Sequence, residues 1–266
     1  MRSRALAFLL VLLGCAGPAA SPPVRVAPPS ASPAPTAEDV FAALKARDAA
    51  KLAAVLTASP GLAAAHRTNG LSAIAVALFT LNDDEETFVK PPENALLRAL
   101  ALRRPPLDVY DAAATGDEER LRALIAAEPG LVSAVHPTLG ITPLHVAAFA
   151  GNKDCALFLL AKGAPLDVPS RNEFHNTPLI MSVLSDQHDV AAALLDKGAN
   201  VEAEEEAGVR PIHLAAELGD VKMLGLLLDH HAGVNAKTGD GKTALAIAVA
   251  HGRKEAANLL RERGAE

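Results

Sequence analysis

The chain has 266 residues, half of them hydrophobic but only 3% aromatic, so a sizeable core must be built from alanine and leucine rather than large rings. A formal charge of −6 is the wrong sign for neutralising a phosphate backbone, and no nucleic-acid partner is expected. Cys15 and Cys155 are the two cysteines, too few for a disulfide framework.

Residues 1–14 read as a leader. Arg2 and Arg4 make a positive start, and Ala5–Leu13 is an apolar run too short to cross a bilayer. It ends in Leu12-Leu13-Gly14-Cys15, which resembles a bacterial lipobox. That resemblance implies cleavage before Cys15 and lipidation of Cys15, giving a membrane tether. The alternative is an ordinary secretory peptide cut near Ala16, although Gly14-Cys15-Ala16 matches the usual small-residue cleavage pattern poorly. The expected location is the cell envelope, at the outer membrane facing the periplasm, because Ala16 is not the aspartate that retains lipoproteins at an inner membrane. A soluble periplasmic or secreted protein is the other option. Losing Arg2 and Arg4 with the leader takes the charge from −6 to −8. Residues 15–37 form a linker with seven prolines, able to extend about 70 Å at the polyproline rise.

From residue 38 onward the chain repeats. Asp39-Val40-Phe41 and Pro60-Gly61-Leu62 return 69 residues later as Asp108-Val109-Tyr110 and Pro129-Gly130-Leu131. Gly70 and Phe79 return as Gly140 and Phe149 at an offset of 70. The first unit is expected to be a cap, with Lys45, Arg47, Asp48 and Lys51 on a polar outer face. Residues 82–92 are acidic, end in two prolines and predict an extended loop; a helix is expected over Asn94–Arg104, followed by Pro105-Pro106 with no finger.

The repeats are clean from Thr142 onward. Four units open Thr142-Pro143-Leu144-His145, Thr177-Pro178-Leu179-Ile180, Arg210-Pro211-Ile212-His213 and Thr243-Ala244-Leu245-Ala246, at steps of 35, 33 and 33 residues. A second marker keeps the same beat: Gly163-Ala164, Gly198-Ala199, His231-Ala232 and Gly264-Ala265. In each unit Thr or its substitute caps a helix that Pro can enter at its first turn. Gly151, Gly219 and Gly252 end that helix, and a second helix follows with paired leucines such as Leu159-Leu160 and Leu194-Leu195. Asp167, Glu202 and Asn235 then lie in polar fingers directed at the next unit. The last unit carries Arg253, Lys254, Glu255, Arg261 and Glu262, as a C-terminal cap would.

A 33-residue unit opening with Thr-Pro-Leu-His resembles the ankyrin repeat. The resemblance implies an all-α ankyrin-repeat solenoid of about seven helix–turn–helix repeats with short hairpin-like fingers, over residues 38–266. It also implies that His145 and His213 brace the finger turn through local hydrogen bonds.

Signals for chemistry are weak. Ala236-Lys237-Thr238-Gly239-Asp240-Gly241-Lys242-Thr243 fits a relaxed nucleotide-loop pattern, but it lacks the parallel strand and magnesium-holding acid such a loop needs. Asp240, Gly241 and Thr243 also suit a finger-to-helix turn. His230-His231 are adjacent and cannot share a helix face, so no metal site is expected there. Glu202 to Glu206 lacks the alternating pattern of a calcium loop and reads as an acidic fingertip. Cys155 falls where other units have Val190, Met223 and Ala256, which predicts a buried core position. No catalytic group, metal or cofactor is expected.

Ankyrin-like proteins generally bind through fingertips and the inner face of the first helices. Carried onto this sequence, that surface comprises Leu139, Ile141 and Phe149; Glu173, Phe174, Leu184 and Ser185; Glu206, Val209, Glu217 and Leu218; and Asp240, Lys242 and His251. Leu139, Phe149, Phe174, Leu184, Val209 and Leu218 would form an apolar stripe with an acidic rim. Phe149 and Phe174 either anchor a partner on this stripe or turn inward between repeats. The expected function is a non-enzymatic, monomeric scaffold that binds another protein while tethered to a membrane. The alternative is an inhibitor or immunity protein that blocks a secreted or periplasmic enzyme.

Overall fold

The computed structural model describes residues 34–67, 71–79, 95–101 and 107–266. The leader, Cys15, the linker up to Pro33, Gly70, the 82–92 insertion and Pro105-Pro106 lie outside the described residues. The chain divides into two compact units, one ending before Leu107 and the other holding everything from Leu107 to Glu266.

The first unit contains α1 (Ala37–Lys45), α2 (Ala49–Ala58), α3 (Ala73–Phe79) and α4 (Ala95–Ala101). Thr36 starts α1 by donating its N–H and Oγ1 to Asp39 Oδ2, at 2.8 and 2.9 Å. Helix α1 packs on α2 and α3, while α4 packs on α2 and α3. Val40, Leu44, Leu52, Leu56, Ile74, Leu78 and Leu100 fill the space between them.

The second unit repeats that plan in α5 (Val109–Thr115), α6 (Glu118–Ala127), α7 (Pro143–Ala150), α8 (Lys153–Ala161) and α9 (Pro178–Leu184). It continues with α10 (His188–Asp196), α11 (Pro211–Leu218), α12 (Val221–Asp229), α13 (Ala244–Ala250) and α14 (Lys254–Glu262). The inner helices α5, α7, α9, α11 and α13 stack each on the next, and the outer helices α6, α8, α10, α12 and α14 do the same. Such quasi-one-dimensional stacking is solenoid architecture, in which each repeat leans only on its neighbours. No helix among the described residues is long and apolar enough to cross a membrane.

The 69-residue copy is a copy of local structure. Helices α2 and α6 begin at 49 and 118 and end at 58 and 127. Their caps, Asp48 and Asp117, accept the N–H of Lys51 and Arg120 at 2.8 and 2.9 Å. Both helices run into a single 3₁₀ turn, Pro60–Ala64 or Pro129–Ser133. The markers of the clean repeats have equally local causes. Thr177 and Thr243 accept the third helical N–H of α9 and α13 at 3.4 and 3.3 Å. Gly116, Gly151 and Gly219 close the inner helices with φ of 74°, 78° and 77°, backbone that an L side chain resists.

Cys155, Val190, Met223 and Ala256 are each about 1% exposed or less, the core position their common register predicts. Burial raises the Cys155 thiol to about 12, so it is an inert filler rather than a nucleophile. Of the paired leucines, Leu159, Leu194, Leu227 and Leu260 are fully buried.

Candidate functional site

The candidate site is the row of turns that joins each outer helix to the next inner helix in the second unit. These turns are bonded to one another through the main chain. Arg171 donates its N–H to Gly140 O at 2.7 Å, Glu206 to Phe174 O at 3.2 Å, and Gly239 to Ala207 O at 2.7 Å. Asn172 adds a side-chain bond from Nδ2 to Leu139 O at 3.2 Å. The approach is so close that a Cβ on Gly239 would meet Ala207 O at 2.7 Å, and one on Gly140 would meet Arg171 C at 2.9 Å.

A second ladder runs through the polar finger residues singled out in the sequence. Asp167 accepts the Asn200 N–H at 2.9 Å, Glu202 the Gly233 N–H at 2.6 Å, and Asn235 the Glu266 N–H at 2.9 Å. Each finger therefore grips the following repeat, as its position in the repeat predicts.

The marker histidines brace these turns. The Thr142 N–H, an obligate donor, points at His145 Nδ1 at 3.1 Å, and Thr142 Oγ1 lies 2.7 Å from the same nitrogen. Nδ1 must then be the acceptor, which puts the ring proton on Nε2, donated to Asn176 O at 2.9 Å. Burial pushes the His145 pKa down to about 4, so the ring is neutral at pH 7. His213 repeats the pattern, accepting the Arg210 N–H at 3.1 Å and pairing Nε2 with Ala236 O at 2.9 Å. His136 accepts the N–H groups of Thr138 and Leu139 in the same way, both at 3.2 Å.

The nucleotide-loop pattern is a tight turn. Gly241 donates to Thr238 O at 2.8 Å, Lys237 and Thr243 form an antiparallel bridge, and Lys242 N–H donates to Thr238 Oγ1 at 3.1 Å. The Lys242 ammonium sits 2.8 Å from Asp240 Oδ2. Hydrogen bonds from Lys242 and then Thr238 hold Asp240 at a pKa of about 2. The lysine that would meet a phosphate is thus already matched by a carboxylate.

The structure corrects the predicted apolar stripe. Leu139 (4% exposed), Ile141 (0%), Phe149 (5%), Leu184 (8%), Ser185 (0%) and Val209 (3%) are buried. The reason is stacking: α7 and α9 each have an inner helix on both sides, and every residue of both helices is buried. Ser185 caps α9 from within, its Oγ donating to Met181 O at 2.8 Å. Leu139, Ile141 and Val209 lie under the fingers rather than on them. Of the predicted surface, Glu173, Glu206, Asp240, Lys242 and His251 are exposed, and Phe174, Glu217 and Leu218 are partly exposed. Exposure rises along the inner row toward α13, which has an inner helix, α11, on one side only, and Val249 reaches 54%.

Two arrangements were not legible in the sequence. Arg210, standing where other repeats have threonine, pairs with Glu202 at 3.1 Å and Glu204 at 2.7 Å, so part of the fingertip's negative charge is offset internally. Across the outer helices, Arg122 lies 4.4 Å over the Phe158 ring beside a groove of about 460 Å³ lined by Ile125, Ala126 and Pro129.

Helix pairs joined by histidine-braced, cross-bonded fingers are one half of the assignment. The other is the family pattern for ankyrin repeats (3 copies), which matches residues 109–205 and 203–266. The chain belongs to the ankyrin-repeat family. It is similar to the nuclear factor NF-kappa-B p105 subunit of Rattus norvegicus, at 32% identity over 72% of this chain and 20% of that protein. It is also similar to inversin of Gallus gallus, at 33% identity over 44% of this chain and 10% of that protein. A fowlpox virus ankyrin repeat protein is 37% identical over 42% of this chain and 77% of its own length. The chain thus spans about a fifth or less of the first two relatives. Ankyrin repeats generally bind other proteins, and the family is typically one of non-enzymatic interaction scaffolds.

Proposed function

We propose that this ankyrin-repeat chain is a monomeric, non-enzymatic scaffold that binds another protein and is tethered in a bacterial cell envelope through a lipid on Cys15. The observation that carries the binding half is the row of cross-bonded fingers bearing Glu173, Phe174, Glu206 and Asp240, a rigid edge with acidic tips and one partly exposed ring. Phe174 is held by its own main chain: its N–H donates to Asn172 Oδ1 at 3.2 Å and its carbonyl accepts from Glu206. An aromatic presented from an ordered main chain loses less entropy on binding and makes an effective anchor. Glu217, Leu218, Lys242 and His251 extend the same face along the last two repeats. The tether rests on the lipobox-like Leu12-Leu13-Gly14-Cys15, and Ala16 after the cysteine supports the outer membrane, on its periplasmic side, as the site of action.

The test is photo-crosslinking of the full chain from position 173 in intact cells, with mass spectrometry of the captured protein. Phe174→Ala is expected to weaken capture at least tenfold while leaving the melting temperature within about 2 °C. Loss of melting temperature with unchanged capture would refute the anchor. For the tether, Cys15→Ser is expected to release the protein from membranes. An unmodified wild-type Cys15 by intact-mass analysis would refute it.

A further inference from the structure

The turns between inner and outer helices follow one pattern, and one repeat breaks it. Gly116, Gly151, Gly219 and Gly252 occupy the left-handed position after α5, α7, α11 and α13. After α9 the equivalent residue is Asp186, with φ of 58°. Its carboxylate lies 3.1 Å from His188 Nε2 at the start of α10. From the next repeat, Asp220, the cap of α12, brings both of its oxygens to the same nitrogen: Oδ1 at 3.0 Å and Oδ2 at 2.9 Å.

One imidazole N–H cannot serve both oxygens of Asp220 at once. It is directed at Asp220 Oδ1, and Asp220 Oδ2 is a buried oxygen left without a hydrogen bond. The Met223 N–H donates to Asp220 Oδ1 at 2.9 Å, which holds this carboxylate in place at the start of α12. Oxygens from two carboxylates of neighbouring repeats thus converge on one ring nitrogen.

We propose that Asp186, His188 and Asp220 form a binding site for one zinc-class divalent cation, which pins the turn before α10 to the turn before α12. Nε2 and one oxygen of each aspartate, all within 4.8 Å of one another, give a nitrogen–oxygen–oxygen set of the kind such ions accept. Bonds of about 2.0–2.1 Å in tetrahedral geometry separate ligand atoms by about 3.3 Å. The present separations of 2.9–3.1 Å from Nε2 need to open by only a few tenths of an ångström. The side chains keep 16%, 32% and 15% exposure for His188, Asp186 and Asp220, enough for an ion to enter and for water to complete its shell. The sequence hides the set because His188 and Asp220 are 32 residues apart and meet only through stacking.

The experiment is calorimetric titration of the chelator-treated full chain with Zn²⁺, paired with Co²⁺ absorption spectra. Three variants accompany the wild type: His188→Gln, Asp220→Asn and Asp186→Asn. Asparagine still caps a helix and still tolerates left-handed backbone, so both aspartate variants keep the fold. The expected result is one ion per wild-type chain, affinity at least tenfold weaker in each variant, tetrahedral-type Co²⁺ bands in the wild type alone, and a Zn²⁺-dependent rise in melting temperature that His188→Gln abolishes. No binding at about millimolar Zn²⁺ would overturn the proposal. So would equal affinity in His188→Gln, which would assign the ion to surface histidines such as His230 and His231.

Discussion

Acidification should weaken the second unit through His145 in a way that one substitution removes. The ring is fully buried, and its pKa falls from the ordinary 6.5 to about 4. A depressed histidine pKa means that the unfolded chain takes up the proton first. Stability from this group is therefore intact above pH 6.5, begins to fall below it, and is fully lost once the pH passes below 4. That gap corresponds to about 3 kcal/mol in full, and to roughly 2–3 kcal/mol at pH 4.5. The physical cause is burial, which penalises the charged ring; a proton on Nδ1 would also confront the Thr142 N–H at 3.1 Å. His145→Gln keeps an acceptor for the helix cap, recreating a Thr-x-x-Gln box, but cannot titrate. Urea unfolding followed by circular dichroism at pH 7.5 and 4.5, on wild type and variant, isolates the term because all other groups are common to both. Wild type should lose roughly 2–3 kcal/mol more than the variant. Equal losses, or an NMR titration of the His145 ring near pH 6.5, would refute the reasoning.

Phe149→Ala should leave a cavity between α7 and its neighbours, costing about 3–5 kcal/mol and lowering the melting temperature by about 10 °C or more in a thermal scan. A small shift would mean the ring is on the surface after all. Lys242→Ala should move melting by less than about 2 °C, since the Lys242–Asp240 pair is solvent-exposed, and calorimetry on the wild type should detect no ATP binding. Micromolar ATP affinity lost in the variant would reinstate the nucleotide loop. Asn152→Ala should cost about 1–2 kcal/mol in urea unfolding, because Nδ2 donates to Ala113 O at 2.7 Å and Ala114 O at 2.9 Å across two repeats. An unchanged midpoint would show that those carbonyls find other donors.

Glu206→Lys should slow partner association and change its salt dependence more than it changes dissociation, measured by surface plasmon resonance once a partner is in hand. The reverse pattern would place Glu206 in a desolvated contact rather than at an acidic rim.

What the sequence by itself determined is whatever short-range chemistry repeats. Thr-Pro-Leu-His fixes a cap, a first turn and a brace within four residues. Glycine at the ninth position past a threonine supplies left-handed backbone, and a 33-residue beat places Cys155 in register with Val190 and Met223. Even the degenerate copy was legible, because Asp48 and Asp117 cap helices of identical length by the same local bond. Tertiary structure alone decided accessibility. Phe149 and Leu184 occupy positions that face outward on a lone helix, yet each is enclosed because an inner helix packs on either side. It also decided which polar groups meet: Arg210 with two glutamates of the finger before it, and His188 with Asp220 in the next repeat. Periodicity sets where a residue sits in its own repeat. Contacts across the stack depend on the depth and side-chain reach of the neighbouring repeat, which the residue's own repeat does not encode.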